Sequence, residues 1–286
     1  MTVLVDALSV TLRALSFVAL FQAAGTALFL ALLDQELGTE PALRRLGARS
    51  GLLAIILLIA QYALEAARMS GDLAGTMDPT LRGLVLHSGT SVALSWRLLG
   101  LLLILTGVRH RGLSRMVVSI LGVVVLSAAF TFVGHTANAP QRWLLSLMLL
   151  IHLLLVAFWF GALGPLYLIS ARESPPTAAR IVRQFSARAV WLVPGVLIAG
   201  VVMAVVLLPG LTALRTPYGQ LLIGKTIGFS ALMVLAALNK WRWGPILAEG
   251  STEGSRTFRR SVAGEYGLIV AVLCITAALT MFYSPD

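Results

Sequence analysis

The chain has 286 residues, of which 58% are hydrophobic and 12% are charged, whereas soluble domains average about 25% charged residues. This composition excludes a soluble globular protein and predicts an all-α membrane protein, with residues 1–286 forming a single integral-membrane domain. The net charge of +10 does not indicate nucleic-acid binding, because the basic residues lie in short segments between apolar runs and form no nucleic-acid motif.

Eight apolar segments are long enough to cross a bilayer, which needs roughly 20 residues per helix. They cover about residues 8–33, 50–67, 90–108, 116–133, 143–169, 189–208, 220–238 and 262–283. The first is too long for the core of a signal peptide and lacks a basic leader, so we expect it to be retained as a span. The sequence therefore predicts a bundle of eight transmembrane helices.

The basic residues predict how this bundle is oriented. Fifteen of the 22 lysines and arginines lie near the four connections that follow the odd-numbered spans. The positive-inside rule assigns these connections to the cytoplasm and both termini to the periplasm of a bacterial inner membrane. One of these connections contains Gly250–Arg260, which we expect to be a flexible basic linker. The longest connection on the other face, Arg68–Gly89, is expected to be either a lid or a solvated connector.

Histidines within or beside the apolar segments are the first candidates for a functional site, because an imidazole in hydrocarbon is costly without a partner or a cavity. His152 lies about ten residues into the fifth span, which is roughly 15 Å along a helix. His135 ends the fourth span, His87 precedes the third, and Met148 lies one turn before His152 on the same helix face. Imidazole and thioether ligands suit copper, so these four residues are candidate copper ligands.

Each candidate has an alternative interpretation. His152 could instead be hydrogen-bonded to a neighbouring helix, and Met148 could only contribute to packing. Histidines in neighbouring spans also suit axial ligation of a b-type haem, for which His87 with His135 is an easier pair than His135 with His152. Covalent haem is excluded, because the sequence has no Cys-x-x-Cys-His motif.

Four further polar residues lie in or near the spans: Arg97, Lys225, Asn239 and Glu265. Glu265 is expected one turn into the last span, with Asn239 near the same surface. If these side chains face the interior, they predict a pathway for an ion or a proton. A Lys225 ammonium would oppose a cation, so a paired carboxylate or a bound anion is its alternative. Arg97 could instead extend toward the outer interface.

Several blocks of the sequence resemble the bacterial copper-resistance D (CopD) family. They are Leu150–Leu166, Arg183–Val190, Thr216–Leu247 and Arg259–Val270, with shorter blocks at Thr90–Leu98 and Gly134–Ala137. The residues of the last four spans that fall on the family pattern are Tyr218, Gly219, Lys225, Asn239, Pro245 and Glu265. The resemblance implies an inner-membrane protein that handles copper, commonly alongside a small periplasmic copper-binding protein of the CopC type.

We therefore interpret the chain as a multi-pass inner-membrane protein that binds copper and assists its transport from the periplasm to the cytoplasm. A permease is favoured over an enzyme, since the sequence has no phosphate-binding loop for ATP. The alternative is a histidine-ligated b-haem protein that exchanges electrons with quinone or with copper. A third interpretation is a structural or regulatory membrane subunit that binds no metal.

Overall fold

The computed structural model describes residues 2–32, 37–134, 139–208 and 210–283. Within these ranges the protein consists of helices without strands, and eight helices are long and apolar enough to cross a membrane, which confirms the predicted all-α bundle. The long helices are α1 (Thr2–Leu32), α2 (Glu40–Ser70), α4 (Gly89–Gly107), α5 (Gly112–Ala128), α6 (Arg142–Arg172), α7 (Pro175–Leu207), α8 (Pro217–Leu238) and α10 (Thr252–Phe282). The short helices are α3 (Pro79–Leu86) and α9 (Gly244–Ala248).

Helix α1 is the central element of the bundle. It packs against α2, α4 and α5 on one side and against α6 and α10 on the other. Its contact with α6 pairs Gly25 with Gly161, where a Cβ on either residue would overlap the backbone of the partner helix. Small residues allow such close approach of membrane helices, so this glycine pair joins the N-terminal helices to the C-terminal ones.

Three long helices begin between ten and fourteen residues before the predicted spans. They are α2, which begins at Glu40 instead of near 50, α7, which begins at Pro175 instead of near 189, and α10, which begins at Thr252 instead of near 262. Arginine is a good helix former although it is unfavourable in hydrocarbon, so apolarity marks the membrane segment and not the helix end. The expected flexible linker at Gly250–Arg260 is wrong, because the Ser251 hydroxyl accepts a hydrogen bond from the Gly254 N–H and starts α10 there.

A cluster of charges closes the basic end of the bundle, which is the end that holds the α1–α2, α4–α5, α6–α7 and α8–α10 connections. Glu40 Oε1 accepts hydrogen bonds from Arg115 at 2.6 Å and from Arg44 at 2.8 Å. The Arg115 guanidinium also donates to the carbonyl oxygens of Leu30 and His110. Because Arg115 is buried, its three hydrogen bonds, to Leu30 of α1, Glu40 of α2 and His110 before α5, satisfy a charge that is otherwise costly.

The start of α1 and the end of α10 lie at the opposite end of the bundle. Arg13 of α1 donates to the carbonyl oxygen of Thr280 in α10 at 3.1 Å, and it lies 4.0 Å from Glu65 of α2. An even number of spans requires the first and the last helix to begin and end on the same side of the membrane. Which side of the membrane this end faces stays a prediction from the arginine distribution.

The connection between α2 and α4 at this opposite end is folded. Gly71, with a φ of 73°, ends α2 in the left-handed conformation. Asp78 Oδ1 then accepts hydrogen bonds from the backbone N–H groups of Thr80 and Leu81 and caps α3, whose first residue is Pro79. An aspartate followed by proline is a helix start signal that could have been recognised in the sequence.

Candidate functional site in the last four spans

The helices α6, α7, α8 and α10 and the turn after α8 line a cavity of about 330 Å³ that is open to the surface. Helix α7 packs on α6 and on the short α9, whereas it makes few contacts with α8 across the described residues. The resulting space is lined mainly by apolar side chains, and its most buried polar residues are Glu265 and Asn239. The cavity therefore brings together two of the polar residues that the sequence singled out.

Glu265 is held on the cavity wall by two neutral donors. The indole N–H of Trp159 donates to its Oε1 at 2.8 Å, and the side-chain amide of Asn239 donates to its Oε2 at 2.7 Å. Because α10 begins at Thr252, Glu265 lies thirteen residues into the helix, about 20 Å along its axis. No basic side chain in the described ranges pairs with this carboxylate, which is only 3% exposed.

Asn239 owes its position to a π-helical turn, Asn239–Trp243, between α8 and α9. Pro245 has no N–H to donate to the carbonyl of Trp241, and the N–H of Gly244 bonds instead to the carbonyl of Asn239, five residues back. Asn239 is 9% exposed, and its Oδ1 has no hydrogen-bond partner in the described part of the chain. Asn239 thus holds a buried acceptor without a described partner next to the Glu265 carboxylate.

His152 is oriented by the neighbouring helix α7. Its Nδ1 lies 3.0 Å from the carbonyl oxygen of Val196. Since a carbonyl only accepts hydrogen bonds, Nδ1 carries a hydrogen, and in the neutral ring Nε2 keeps its lone pair. Gly200 of α7 lies beside the imidazole, where a Cβ would make an ordinary van der Waals contact at 3.8 Å from His152 Cε1. A ring fixed through one nitrogen presents the other as a ligand atom, so the helix-bonded and ligand interpretations of His152 are compatible.

Lys225 of α8 lies close enough to His152 for its charge to act on the imidazole. Among the described residues no carboxylate forms an ion pair with Lys225. An ammonium without a counterion in a membrane-spanning helix is costly and is typical of a functional position. His152 and Lys225 therefore lie at a similar depth in the bundle, and we call this depth the first polar level; Glu265 with Asn239 forms the second.

An aromatic pair lies between this level and the cavity acceptors. Trp159 is seven residues after His152 on the same face of α6, about 10 Å further along the axis. Its ring meets Phe229 of α8 edge-on, with 5.9 Å between the ring centroids. Phe229 itself lies one turn after Lys225 and precedes Asn239 in α8. Trp159 and Phe229 were not identified from the sequence, because aromatic residues in an apolar run give no distinct signal.

The other candidate copper ligands lie elsewhere or outside the described residues. His87 is exposed at the end of α3, with its Nδ1 2.8 Å from the carbonyl oxygen of Gly83. Helix α3 packs on α2 and α4, so His87 is not brought to His152. Met148 is half-buried in α6 one turn before His152, and His135 lies outside the described residues. Within the described ranges no three His, Cys, Asp or Glu residues form a group able to hold a metal.

Arg97 lies in the N-terminal half of the bundle. Its guanidinium carbon is 4.2 Å from the ring centre of Phe130, and its buried Nε has no hydrogen-bond partner in the described part of the structure. The nearby charges that act on it are Arg13 and Glu65. The structure therefore places Arg97 with α1 and α2 and apart from the cavity.

These features define a multi-pass membrane protein with a polar site inside its C-terminal half. Two family models match the chain: Copper resistance protein D matches residues 179–279, and Copper resistance protein D-like, N-terminal domain, matches residues 4–142. The chain therefore belongs to the copper-resistance D family, a copper-resistance group of bacterial inner-membrane proteins, as the resemblance indicated. The first match includes Lys225, Asn239 and Glu265. No curated protein and no solved structure matches the chain.

Proposed function

We propose that this protein binds copper and assists its movement from the periplasm to the cytoplasm. The observation that carries the proposal is that polar groups lie at two depths within the last four spans, His152 with Lys225 and then Glu265 with Asn239, with the Trp159–Phe229 ring pair between them. Polar groups inside an apolar bundle are costly and usually mark an ion or proton pathway. Membership in a copper-resistance family supports copper as the ion.

In this proposal His152 is the central ligand. Its Nε2 is available because Nδ1 is committed to Val196, and Met148 on the same helix face supplies a thioether that favours Cu(I). His87 and His135, on the segments next to α4 and α6, collect copper at the end of the bundle that carries the termini. That end would face the periplasm, where a CopC-type protein could deliver the ion.

The remaining residues of the site control what happens to copper after it binds His152. Lys225 sets an electrostatic barrier, since its ammonium repels a cation at His152. Trp159 and Phe229 separate the two polar levels, and their movement would open the route. Glu265 and Asn239 then offer oxygen acceptors, either to the ion or to a proton that moves with it. No step requires ATP.

The first test is copper analysis of the purified full-length protein and its His152→Ala variant. The proposal expects stoichiometric copper in the parent and loss of that copper in the variant. His110→Ala is the matched control, because His110 is exposed at the basic end and should leave copper content unchanged. Equal copper content in the parent and the His152 variant, with both correctly folded, would overturn the central site.

A visible spectrum of the same samples separates the permease from the b-haem alternative. A Soret band with sharp α and β bands after reduction would move the function to electron transfer, and the histidines would then be tested as axial haem ligands. The direction of transport is tested in proteoliposomes with a copper-sensitive dye inside. Dye response only when copper is added on the side of the chain termini is the expected result.

A further inference from the structure

Three arginines share one carboxylate in the N-terminal half of the bundle. Both oxygens of Glu65 in α2 accept hydrogen bonds from Arg68, at 3.2 and 2.9 Å, and Arg13 of α1 lies 4.0 Å from the same carboxylate. The charges of Arg13 and Glu65 also act on Arg97 of α4. We call these four residues the Arg97 cluster. One carboxylate cannot neutralise three guanidinium groups, so the cluster carries an excess of positive charge.

Arg97 is the member of this cluster whose donors are unused. Within the described ranges it donates no hydrogen bond and forms no ion pair. Its guanidinium lies instead over the ring of Phe130, with Cζ 4.2 Å from the ring centre. A ring face attracts the charge but accepts none of the five N–H groups in the way an oxygen does. A charged donor of this kind in a membrane-spanning helix is costly and is typical of a functional position.

The terminal nitrogens of Arg97 can be reached by a ligand. Nε is closed off by the protein, whereas Nη1 and Nη2 are not among the buried atoms and the side chain as a whole is partly exposed. Arg13 and Glu65 beside it are 19% and 18% exposed. The open side of the Arg97 guanidinium therefore presents N–H donors next to a second guanidinium.

We propose that Arg97, together with Arg13, binds a phosphate group between α1, α2 and α4. A planar guanidinium presents parallel N–H donors that match two oxygens of a phosphate, and the remaining oxygens can accept from a second arginine. Inorganic phosphate and the headgroup of a phospholipid share this chemistry. Trp96, the neighbour of Arg97, is 41% exposed, as is common for tryptophan where a helix meets the lipid headgroups. The cluster lies apart from the cavity of the last four spans, so the proposal does not rest on copper transport.

The test is a calorimetric titration of the detergent-purified full chain at constant ionic strength. The probes are inorganic phosphate and dioctanoyl phosphatidylglycerol, and the control is dioctanoylglycerol, which has the same two chains and no phosphate. Saturable binding of at least one phosphate probe is expected, and the lipid should bind at least about tenfold more tightly than dioctanoylglycerol if the bilayer is the source. Binding of inorganic phosphate would identify water as a source. No saturable binding of inorganic phosphate, together with equal binding of the lipid and dioctanoylglycerol, would overturn the proposal.

Variants of Arg97 locate the site. Arg97→Leu should weaken phosphate binding at least about tenfold, because it removes both the charge and the paired donors. Arg97→Lys keeps the charge and serves where the leucine variant does not fold; it should weaken binding about threefold or more, since an ammonium lacks the planar fork. Arg82→Leu is the matched control, because Arg82 is exposed in α3 at the same end of the bundle, outside the Arg97 cluster. Binding that the Arg97 variants leave unchanged, or that Arg82→Leu weakens equally, would refute the assignment.

Discussion

Trp159 and Glu265 join two spans through one hydrogen bond of 2.8 Å, from the indole N–H of α6 to the carboxylate of α10. The same indole packs edge-on against Phe229 of α8, so one side chain connects three of the four helices around the cavity. Its position two turns after His152 also places it between the two polar levels. A change at Trp159 therefore affects the shape of the cavity and the state of Glu265 together.

Replacing Trp159 with phenylalanine should destabilise the protein by about 1–3 kcal/mol, because a buried carboxylate loses a donor and no water replaces it easily. The free energy of unfolding in mixed detergent micelles measures the effect. Trp191→Phe is the matched control: Trp191 is 83% exposed, and the change should cost less than about 0.5 kcal/mol. Equal costs for the two variants would show that the bond to Glu265 contributes nothing specific.

The contact between Gly25 and Gly161 predicts a strong position effect for an added methyl group. Gly161→Ala should cost about 3 kcal/mol or more, because the new Cβ meets the backbone of α1, which cannot move aside like a side chain. The same change at Gly264 of α10 meets nothing within 4 Å and should be neutral or slightly stabilising. Thermal unfolding of both variants in detergent tests this, and a neutral Gly161→Ala would contradict the close packing of α1 on α6.

The charge cluster at the basic end predicts a second pair of variants. Arg115→Ala should destabilise the protein by about 2–4 kcal/mol, since Glu40 loses its 2.6 Å partner and the carbonyl oxygens of Leu30 and His110 lose a donor. Arg111→Ala removes an exposed arginine from the same connection and should change stability by less than about 0.5 kcal/mol. Comparable losses of stability for the two arginine variants would mean that net charge, and not the hydrogen bonds of the cluster, stabilises this end of the bundle.

Hydropathy was sufficient to predict the number and the order of the spans. Polar backbone and side-chain groups are so costly in lipid that only long apolar helices can cross the bilayer, and these are visible in the sequence. It could not locate the helix ends at Glu40, Pro175 and Thr252. Beyond the hydrocarbon, helix formation is decided by caps such as Ser251 and by packing, and arginines do not interrupt it.

The candidate site was predictable only in part. Glu265 and Asn239 were recognised as polar residues in apolar surroundings, but their direct contact depends on the π-helical turn that Pro245 imposes. Trp159 could not be singled out, because its role arises from a partner 106 positions away in the sequence. Side-chain pairing between distant spans is set by how the helices assemble, which periodicity within one helix does not determine.

If His152 holds copper as proposed, Lys225→Leu should strengthen copper binding by at least about tenfold, which corresponds to about 1.4 kcal/mol. The ammonium of Lys225 acts on His152 through an apolar region that screens charge poorly, so it opposes a bound cation. Leucine keeps an apolar side chain in α8, removes the charge and, unlike methionine, adds no copper ligand.

Lys240→Leu is the matched control, because Lys240 lies 5.7 Å from the ring centre of Trp241 in the partly exposed turn after α8 and should leave the copper affinity unchanged. Competition titrations with a copper chelator give the two affinities. Unchanged or weaker binding in Lys225→Leu would show that this charge does not oppose the ion and would remove Lys225 from the proposed barrier.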